Sequence, residues 1–458
     1  MIDFKKRMAK SPADIVHFDA SDLEEDQQEV ADAMIDFYSA HGQLFFVLTG
    51  WAGVGKTYTI QRVIKQLKQM HPHMLVCLTA PTNKAVKVLR SMAVEYGLNV
   101  DCRTIYSSLG LVLDNNDEIK MTKKMVAGAF YSMHLVVVDE ASMLSKNVVS
   151  HLRQAAADNR VKVIIMGDKF QLPPVKESKS QAFEQADQTF HLVKNRRQVD
   201  GNPILELTQS LRADIVSGKS ATKFESKINT ALDQGIYVLN GADWYNCVKE
   251  NFLSDEYKAD PDSYRCLAWT NKRVNALNTS LRRLIVGETE SPFIVGERVL
   301  TRQAIVDDMT LAKPEVIANT DEELKVLQIT EGVHPLYAGM SMEFKVWNTV
   351  LLAESGRSAE VHILHADSKD DYKTALDKLG KAAKKEGRQW KNFWGFKDSF
   401  ADLQPPHAMT IHRSQGSTYG NVFVDVDDCY KNRKQKERNQ LLYVGCSRAR
   451  ENIILLRR

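Results

Sequence analysis

Residues Gly50-Trp51-Ala52-Gly53-Val54-Gly55-Lys56-Thr57 have the types and spacing of a phosphate-binding loop, G-x-x-x-x-G-K-[ST]. Its glycines allow backbone N–H groups to wrap a polyphosphate, and a following helix N-terminus adds partial positive charge. Lys56 can reach the β- and γ-phosphates, and the Thr57 hydroxyl can ligate Mg²⁺. Further along, Asp139 and Glu140 stand at the end of the apolar run Leu135–Val138. Adjacent carboxylates there suit two tasks: Asp139 completing a metal shell, and Glu140 orienting and deprotonating an attacking water. The run Val161–Met166 ends in Gly167-Asp168-Lys169-Phe170-Gln171. That placement lets the Gln171 amide sense a γ-phosphate or its attacking water.

Other polar clusters admit two readings each. Gln27 or Gln28 could bond the N6/N7 edge of adenine, or be a solvated glutamine at a helix start. Thr82, Asn83 and Lys84 follow the run Met74–Thr79, and they either cap a helix or contact phosphates at its N-terminus. Thr270, Asn271 and Lys272 repeat that arrangement after Tyr264–Ala268. Arg196 and Arg197 are either solvated or reach across a cleft to phosphate. Trp390, Phe393 and Trp394, interleaved with lysines, could stack bases, but their helical spacing favours a core role.

The elements required to hold these residues are those of an α/β chain. Buried-strand runs precede the phosphate loop, the Asp139–Glu140 pair and the Gln171 segment. Ile60, Val63, Ile64 and Leu67 give the helix after the loop its apolar face. Leu109–Met121, with Asp114-Asn115-Asn116-Asp117 between two short apolar runs, predicts a β-hairpin inserted into the alternation. A second α/β region begins near Gln198. It is interrupted over Phe293 to about Phe400 by alternating runs that predict a small β-domain, and it resumes after Pro405-Pro406.

The 458 residues are 43% apolar and 26% charged, the balance of a globular protein with more than one core. A net charge of +3 supplies no overall field for a polyanion, so nucleic acid would need a local basic groove. The six cysteines are widely spaced, with no C-x-x-C pair, which argues against zinc and against a disulfide framework. No apolar run reaches the ~20 residues of a membrane span, and the N-terminus lacks the apolar centre of a signal peptide. The expectation is a soluble cytoplasmic protein.

Taken together and in order, GWAGVGKT, APTNKA, DEASM, GDKFQLPPV, VKNRRQ, TIHRSQGS and YVGCSRAR resemble the superfamily 1 helicases. Within them the chain is most similar to the RecD/Pif-type branch, and to its phage members above all, from about Leu23 onward. The first ~20 residues are additional to that resemblance. It implies two RecA-like P-loop domains, the first carrying a small β-hairpin insertion and the second an SH3-like β insertion. The boundaries expected are 1–105 with 129–197 for domain 1A and 106–128 for a pin. Domain 2A would take 198–290 with 401–458, and the accessory domain 2B 291–400.

The resemblance also implies roles. Lys56, Glu140, Gln171, Arg197 and Arg448 would be catalytic, the arginines as fingers. Gln27, Gly50, Ala52, Gly53, Val54, Gly55, Lys56, Thr57, Tyr58 and Gly416 would bind ATP, with Thr57 and Asp139 holding Mg²⁺. Thr82, Asn83, Lys84, Thr104, Asn271, Lys272, Thr410 and His412 would line a path for single-stranded DNA. The implied activity is ATP-dependent translocation, 5′ to 3′, and unwinding of forked duplex by a monomer, with replication or recombination proteins such as a single-strand-binding protein as partners.

Two departures stand out: Trp51 where the family commonly has proline, and Tyr106 where it usually has histidine. Two other activities share the same motifs. One is a translocase that strips proteins from DNA without unwinding; the other is a non-motor DNA-dependent ATPase switch.

Overall fold

The computed structural model describes residues 23–113, 119–121, 130, 132–174, 177–194, 202–229, 234–307, 315–318, 320–334 and 342–457. Glu24 and Gln27 cap each other's backbone N–H groups in a capping box and start α1 (Glu25–Ser39). The chain then alternates through β1 (Phe45–Gly50), α2 (Lys56–Met70), β2 (Val76–Ala80), α3 (Asn83–Glu95), β3 (Asp101–Thr104) and α4 (Ile105–Leu109). The hairpin β4 (Leu111–Leu113) and β5 (Ile119–Met121) pairs antiparallel, Leu111 opposite Met121; its turn at Asp114–Asp117 lies outside the described residues. β6 (Leu135–Val138), α5 (Lys146–Asn159), β7 (Lys162–Gly167) and β8 (Gln188–Leu192) complete the first half. Its sheet is parallel throughout, in the order β3-β2-β6-β7-β1-β8.

Such a sheet needs helices on both faces, and its strands therefore read as unbroken apolar runs. In β1, Phe46 and Leu48 face one core with α1 and α2, while Phe45 and Val47 face another with α5.

The second half repeats this plan. α6 (Pro203–Ser217), β9 (Lys227–Asn229), β10 (Gln234–Leu239), α7 (Gly241–Phe252), α8 (Asp255–Ala259), β11 (Tyr264–Ala268) and α9 (Asn271–Val286) come first. An insertion follows: β12 (Arg298–Thr301), β13 (Ile305–Asp307), β14 (Glu315–Ala318), β15 (Glu323–His334), β16 (Phe344–Ala353), β17 (Ser358–Leu364), α10 (Lys369–Lys385), α11 (Trp390–Asp398) and β18 (Leu403–Gln404). Then come β19 (Ala408–Thr410), β20 (Tyr419–Asp425), α12 (Val426–Tyr430), α13 (Gln435–Cys446) and β21 (Ala449–Leu456). The second sheet runs β19-β11-β20-β21-β10-β9, strand for strand the counterpart of the first. Only the edge strand β9 is antiparallel.

The insertion's own sheet is antiparallel, β17-β16-β15-β12-β18, and closes when β18 pairs with β12 after the two helices. Here the core expectation for the tryptophans needs correcting. Phe396 and Phe400 join Phe344 and Val346 in the core, whereas Trp390 is 38% exposed, edge-to-face with Phe393 and stacked on Trp394 outside it. The buried face of α11 passes through Phe396; Phe393, one turn earlier, is half-buried and faces Gly380 of α10, while Trp394 lies on the opposite side. All six cysteines are free and five of them are buried. No helix among the described residues is long and apolar enough to cross a membrane.

Candidate nucleotide site and nucleic-acid path

The first sheet presents the carboxyl ends of its central strands, and the second sheet the segments that lead into β11, β20 and β21, to one cleft of about 870 Å³. That is within the size range of pockets that enclose a nucleotide-sized ligand. Its first wall is the phosphate loop. Gly53 and Gly55 have φ of 87° and 85°, left-handed values that a side chain would strain, and Gly55 leads directly into α2. The Lys56 ammonium donates to the carbonyls of Gly50 (2.7 Å) and Trp51 (3.0 Å), so it lies curled over the loop. Thr57 donates its hydroxyl to Asp139 Oδ2 at 3.0 Å, bringing the two expected metal donors together. Burial, then the adjacent Glu140, pushes the Asp139 carboxyl up to about 6, while Lys56 pulls it down.

Glu140 has φ of 50°, a left-handed conformation rare for a residue with a side chain. Strain of this kind is sustained where the surrounding structure over-determines it. Gly416, at φ 74°, approaches so closely from the second half that an added Cβ would lie 3.2 Å from Ala85 Cβ and 3.7 Å from Glu140 Cγ.

Gln27, Ala52, Gly53, Gly55, Lys56, Thr57, Tyr58, Asp139, Glu140, Gln171, Gly416 and Arg448 all line the cleft. Gly50 and Val54 do not: Val54 is buried in the core beneath the loop, and Gly50 ends β1 against Leu192. Gln27 is 1% exposed and its Nε2 has no hydrogen-bond partner. The residue caps α1 through its Oε1 but is not the solvated glutamine of the second reading, and its buried Nε2 is left as a donor at the cleft.

Arg448 enters from the second half and is 3% exposed. Its guanidinium is held by neutral groups: the Val444 carbonyl (3.1 Å), the Ser417 carbonyl (3.3 Å) and the Ser447 hydroxyl (2.8 Å). Gln171 is itself tied to that half, its Oε1 accepting from Gln415 Nε2 (3.3 Å) and its carbonyl from Gln440 Nε2 (2.9 Å). Arg197 lies outside the described residues.

The expected nucleic-acid contacts occupy matching places in the two sheets. Thr82 follows β2 and Thr104 ends the neighbouring β3, as Asn271 follows β11 and Thr410 ends the neighbouring β19. Thr82 caps α3, Thr104 caps α4 and Thr270 caps α9, so capping accounts for their local geometry. Asn271 and Lys272 are exposed, and Asn83 is half-buried. His412 is half-buried, and burial holds its imidazole below the usual range. Lys84 points into the cleft and bridges the halves, with its ammonium 3.2 Å from the Tyr419 hydroxyl and 3.8 Å from Asp262.

The motifs did not reveal Asp428, whose buried carboxylate accepts from Trp269 N (3.1 Å), Thr270 N (2.8 Å) and Thr270 Oγ1 (3.0 Å). It fixes the turn that presents Asn271 and Lys272, from 158 residues away, and no local pattern announces it. Asp428→Ala strands those donors and is expected to destabilise the second half by about 2–3 kcal/mol. The melting temperature should fall, and an unchanged melting temperature would contradict the assignment.

Comparison with known proteins finds three family models along the chain. Residues 22–231 match the model of an AAA domain, 290–405 that of the Dda helicase SH3 domain, and 406–456 that of the UvrD-like helicase C-terminal domain. An uncharacterized protein of Acanthamoeba polyphaga mimivirus is 24% identical over 93% of this chain and 98% of its own length. The ATP-dependent DNA helicase dda of Enterobacteria phage T4 is 24% identical over 89% of this chain and 93% of its own. In fold, the chain is similar to the crystal structure of Pif1 helicase from Candida albicans, with a TM-score of 0.50 at 17% identity, covering 95% of this chain and 94% of that one. With twin RecA-like sheets around one cleft and these three domain types in this order, the chain belongs to the superfamily 1 helicases, in their Pif1/Dda-like group.

Proposed function

We propose that the protein is an ATP-dependent DNA helicase that moves along single-stranded DNA, 5′ to 3′, and separates forked duplex ahead of it. The observation that carries this reading is Arg448, a buried guanidinium with no carboxylate partner among the described residues, delivered by the second half into a cleft whose phosphate loop belongs to the first. An arginine so placed gains its charged partner only when a nucleotide occupies the cleft and the halves close. Differential contact of that kind lets a ligand shift a conformational equilibrium.

The residues present fit a hard divalent cation. Thr57 and Asp139 are adjacent oxygen donors, and among the described residues no cluster of three His, Cys, Asp or Glu forms a complete metal cage. A cation held by so few protein ligands takes the rest from phosphate and water, the habit of Mg²⁺. Bound there, it would neutralise charge on the β- and γ-oxygens. Lys56 binds the same phosphates, Glu140 orients and deprotonates the attacking water, and Gln171 links the γ-phosphate position to Gln415 and Gln440 of the second half. The domain boundaries follow the sheets, with 2B as the antiparallel insertion and the β4–β5 hairpin as the strand-separating pin. Asn271, Lys272, Thr410 and His412 form one bank of the DNA path, and Thr82, Asn83 and Thr104 the other, while Lys84, expected among them, serves the nucleotide cleft instead. Because such grip is largely electrostatic, binding should weaken with salt.

Hydrolysis measured with and without single-stranded DNA tests the reading. Stimulation by DNA is expected, and a rate indifferent to DNA would favour a non-motor switch. Glu140→Gln should still bind ATP while turnover drops about 10²–10³-fold, the contribution of a general base. Undiminished turnover would remove Glu140 from that role.

A further inference from the structure

Trp51 and Arg212 make a contact that phosphate chemistry leaves unexplained. Arg212 lies on α6 at 8% exposure, and its guanidinium carbon stands 4.1 Å from the Trp51 ring centroid and 5.8 Å from that of Tyr443. A buried guanidinium ordinarily takes a carboxylate. Here two aromatic rings partner the charge, and the arrangement is that of a desolvated cation–π contact. Each ring is attached to a working part of the cleft. Trp51 is in the phosphate loop, and its carbonyl holds the Lys56 ammonium. Tyr443, on α13, donates its hydroxyl to Asp168 Oδ2 at 2.5 Å, three residues before Gln171. Helix α13 ends at Cys446, two residues before Arg448. Arg212 thus joins the loop that would hold phosphate to the helix that leads to the finger. The indole presents one face to Arg212 and meets His191 at 82°, and its buried Nε1 has no hydrogen-bond partner among the described residues.

We propose that Arg212 is a positioning residue, clasped between Trp51 and Tyr443, that transmits the state of the phosphate loop to α13 and so to the placement of Arg448. The clasp rests on the reading of the cleft as an ATP-driven DNA motor, and it supplies one of that motor's couplings. It also gives Trp51 a purpose, because proline at that position would offer no π face to the guanidinium. Ordinary packing would make the same contact without making DNA affinity depend on it, and that dependence is what separates the two accounts.

The test is the factor by which a non-hydrolysable ATP analogue changes affinity for a single-stranded oligonucleotide, read by fluorescence anisotropy. It compares the full chain with Trp51→Ala, Arg212→Ala, the double variant, Trp51→Phe and Arg212→Lys, alongside melting temperatures. Each alanine variant is expected to move that factor toward one by about fivefold or more, the scale of a buried cation–π contact. The double variant should do no more than either single one. Trp51→Phe should keep most of the factor, and Arg212→Lys, which loses the planar stack, should lose part of it. These two carry the test if an alanine variant melts early. A factor left at the wild-type value in the variants, or single effects that add independently, would overturn the clasp alone. A wild-type protein whose DNA affinity ignores the analogue would overturn the motor reading, and the clasp with it.

Discussion

Arg448→Ala should lower DNA-stimulated ATP turnover by about 10³–10⁵-fold, the effect of losing an arginine finger on transferring phosphoryl charge. The structure makes this the largest expected loss because the guanidinium is already desolvated and held by two carbonyls and a hydroxyl at the cleft. Lysine should not rescue it, since a point charge on a flexible stem cannot make the planar, bidentate contact. Nucleotide binding, measured with a fluorescent ADP, should survive, because the loop that carries it is in the other half of the chain. Turnover within tenfold of wild type would show that Arg448 serves only the packing of α13 and β21.

Lys56→Ala comes next, with an expected loss of about 10³-fold in kcat/KM. The ammonium is the cation that the phosphate loop itself supplies, held by the carbonyls of Gly50 and Trp51. Removing it should weaken nucleotide binding as well as hydrolysis, and that is how it differs from Arg448→Ala and Glu140→Gln. DNA-stimulated turnover retained in Lys56→Ala would contradict the phosphate-loop assignment outright.

Much of the site was legible because its chemistry restricts residue types over short spans. A phosphate loop needs glycines at left-handed positions, and Gly53 and Gly55 occupy them. Leu135–Val138 and Tyr264–Ala268 are strands with the bounds their apolar runs suggested. The twin Thr-Asn-Lys segments do sit on equivalent strands, β2 and β11, of two sheets with one plan.

What was hidden depends on contacts distant in sequence. Edge strands β8 and β9 are only partly buried, so no continuous apolar run marks them. Helical spacing of Trp390, Phe393 and Trp394 did identify a helix, but it could not say which face would be buried. Phe396 decided that by meeting Phe344 and Phe400. Asp428 and Arg212 act on turns and loops more than 150 residues away, and each looks locally like an ordinary helix residue. Trp51 made no sense from the phosphate loop alone, because its partner belongs to the other half of the chain.

On the function proposed above, ATP turnover in this cleft is spent on separating strands. Unwinding of forked duplexes bearing either a 5′ or a 3′ single-stranded tail, with and without ATP, tests it most directly. The account predicts strand separation from the 5′-tailed fork, only with ATP, and none from the 3′-tailed fork. If DNA stimulates hydrolysis while neither fork is unwound, the protein moves or switches without separating strands, and the account is wrong.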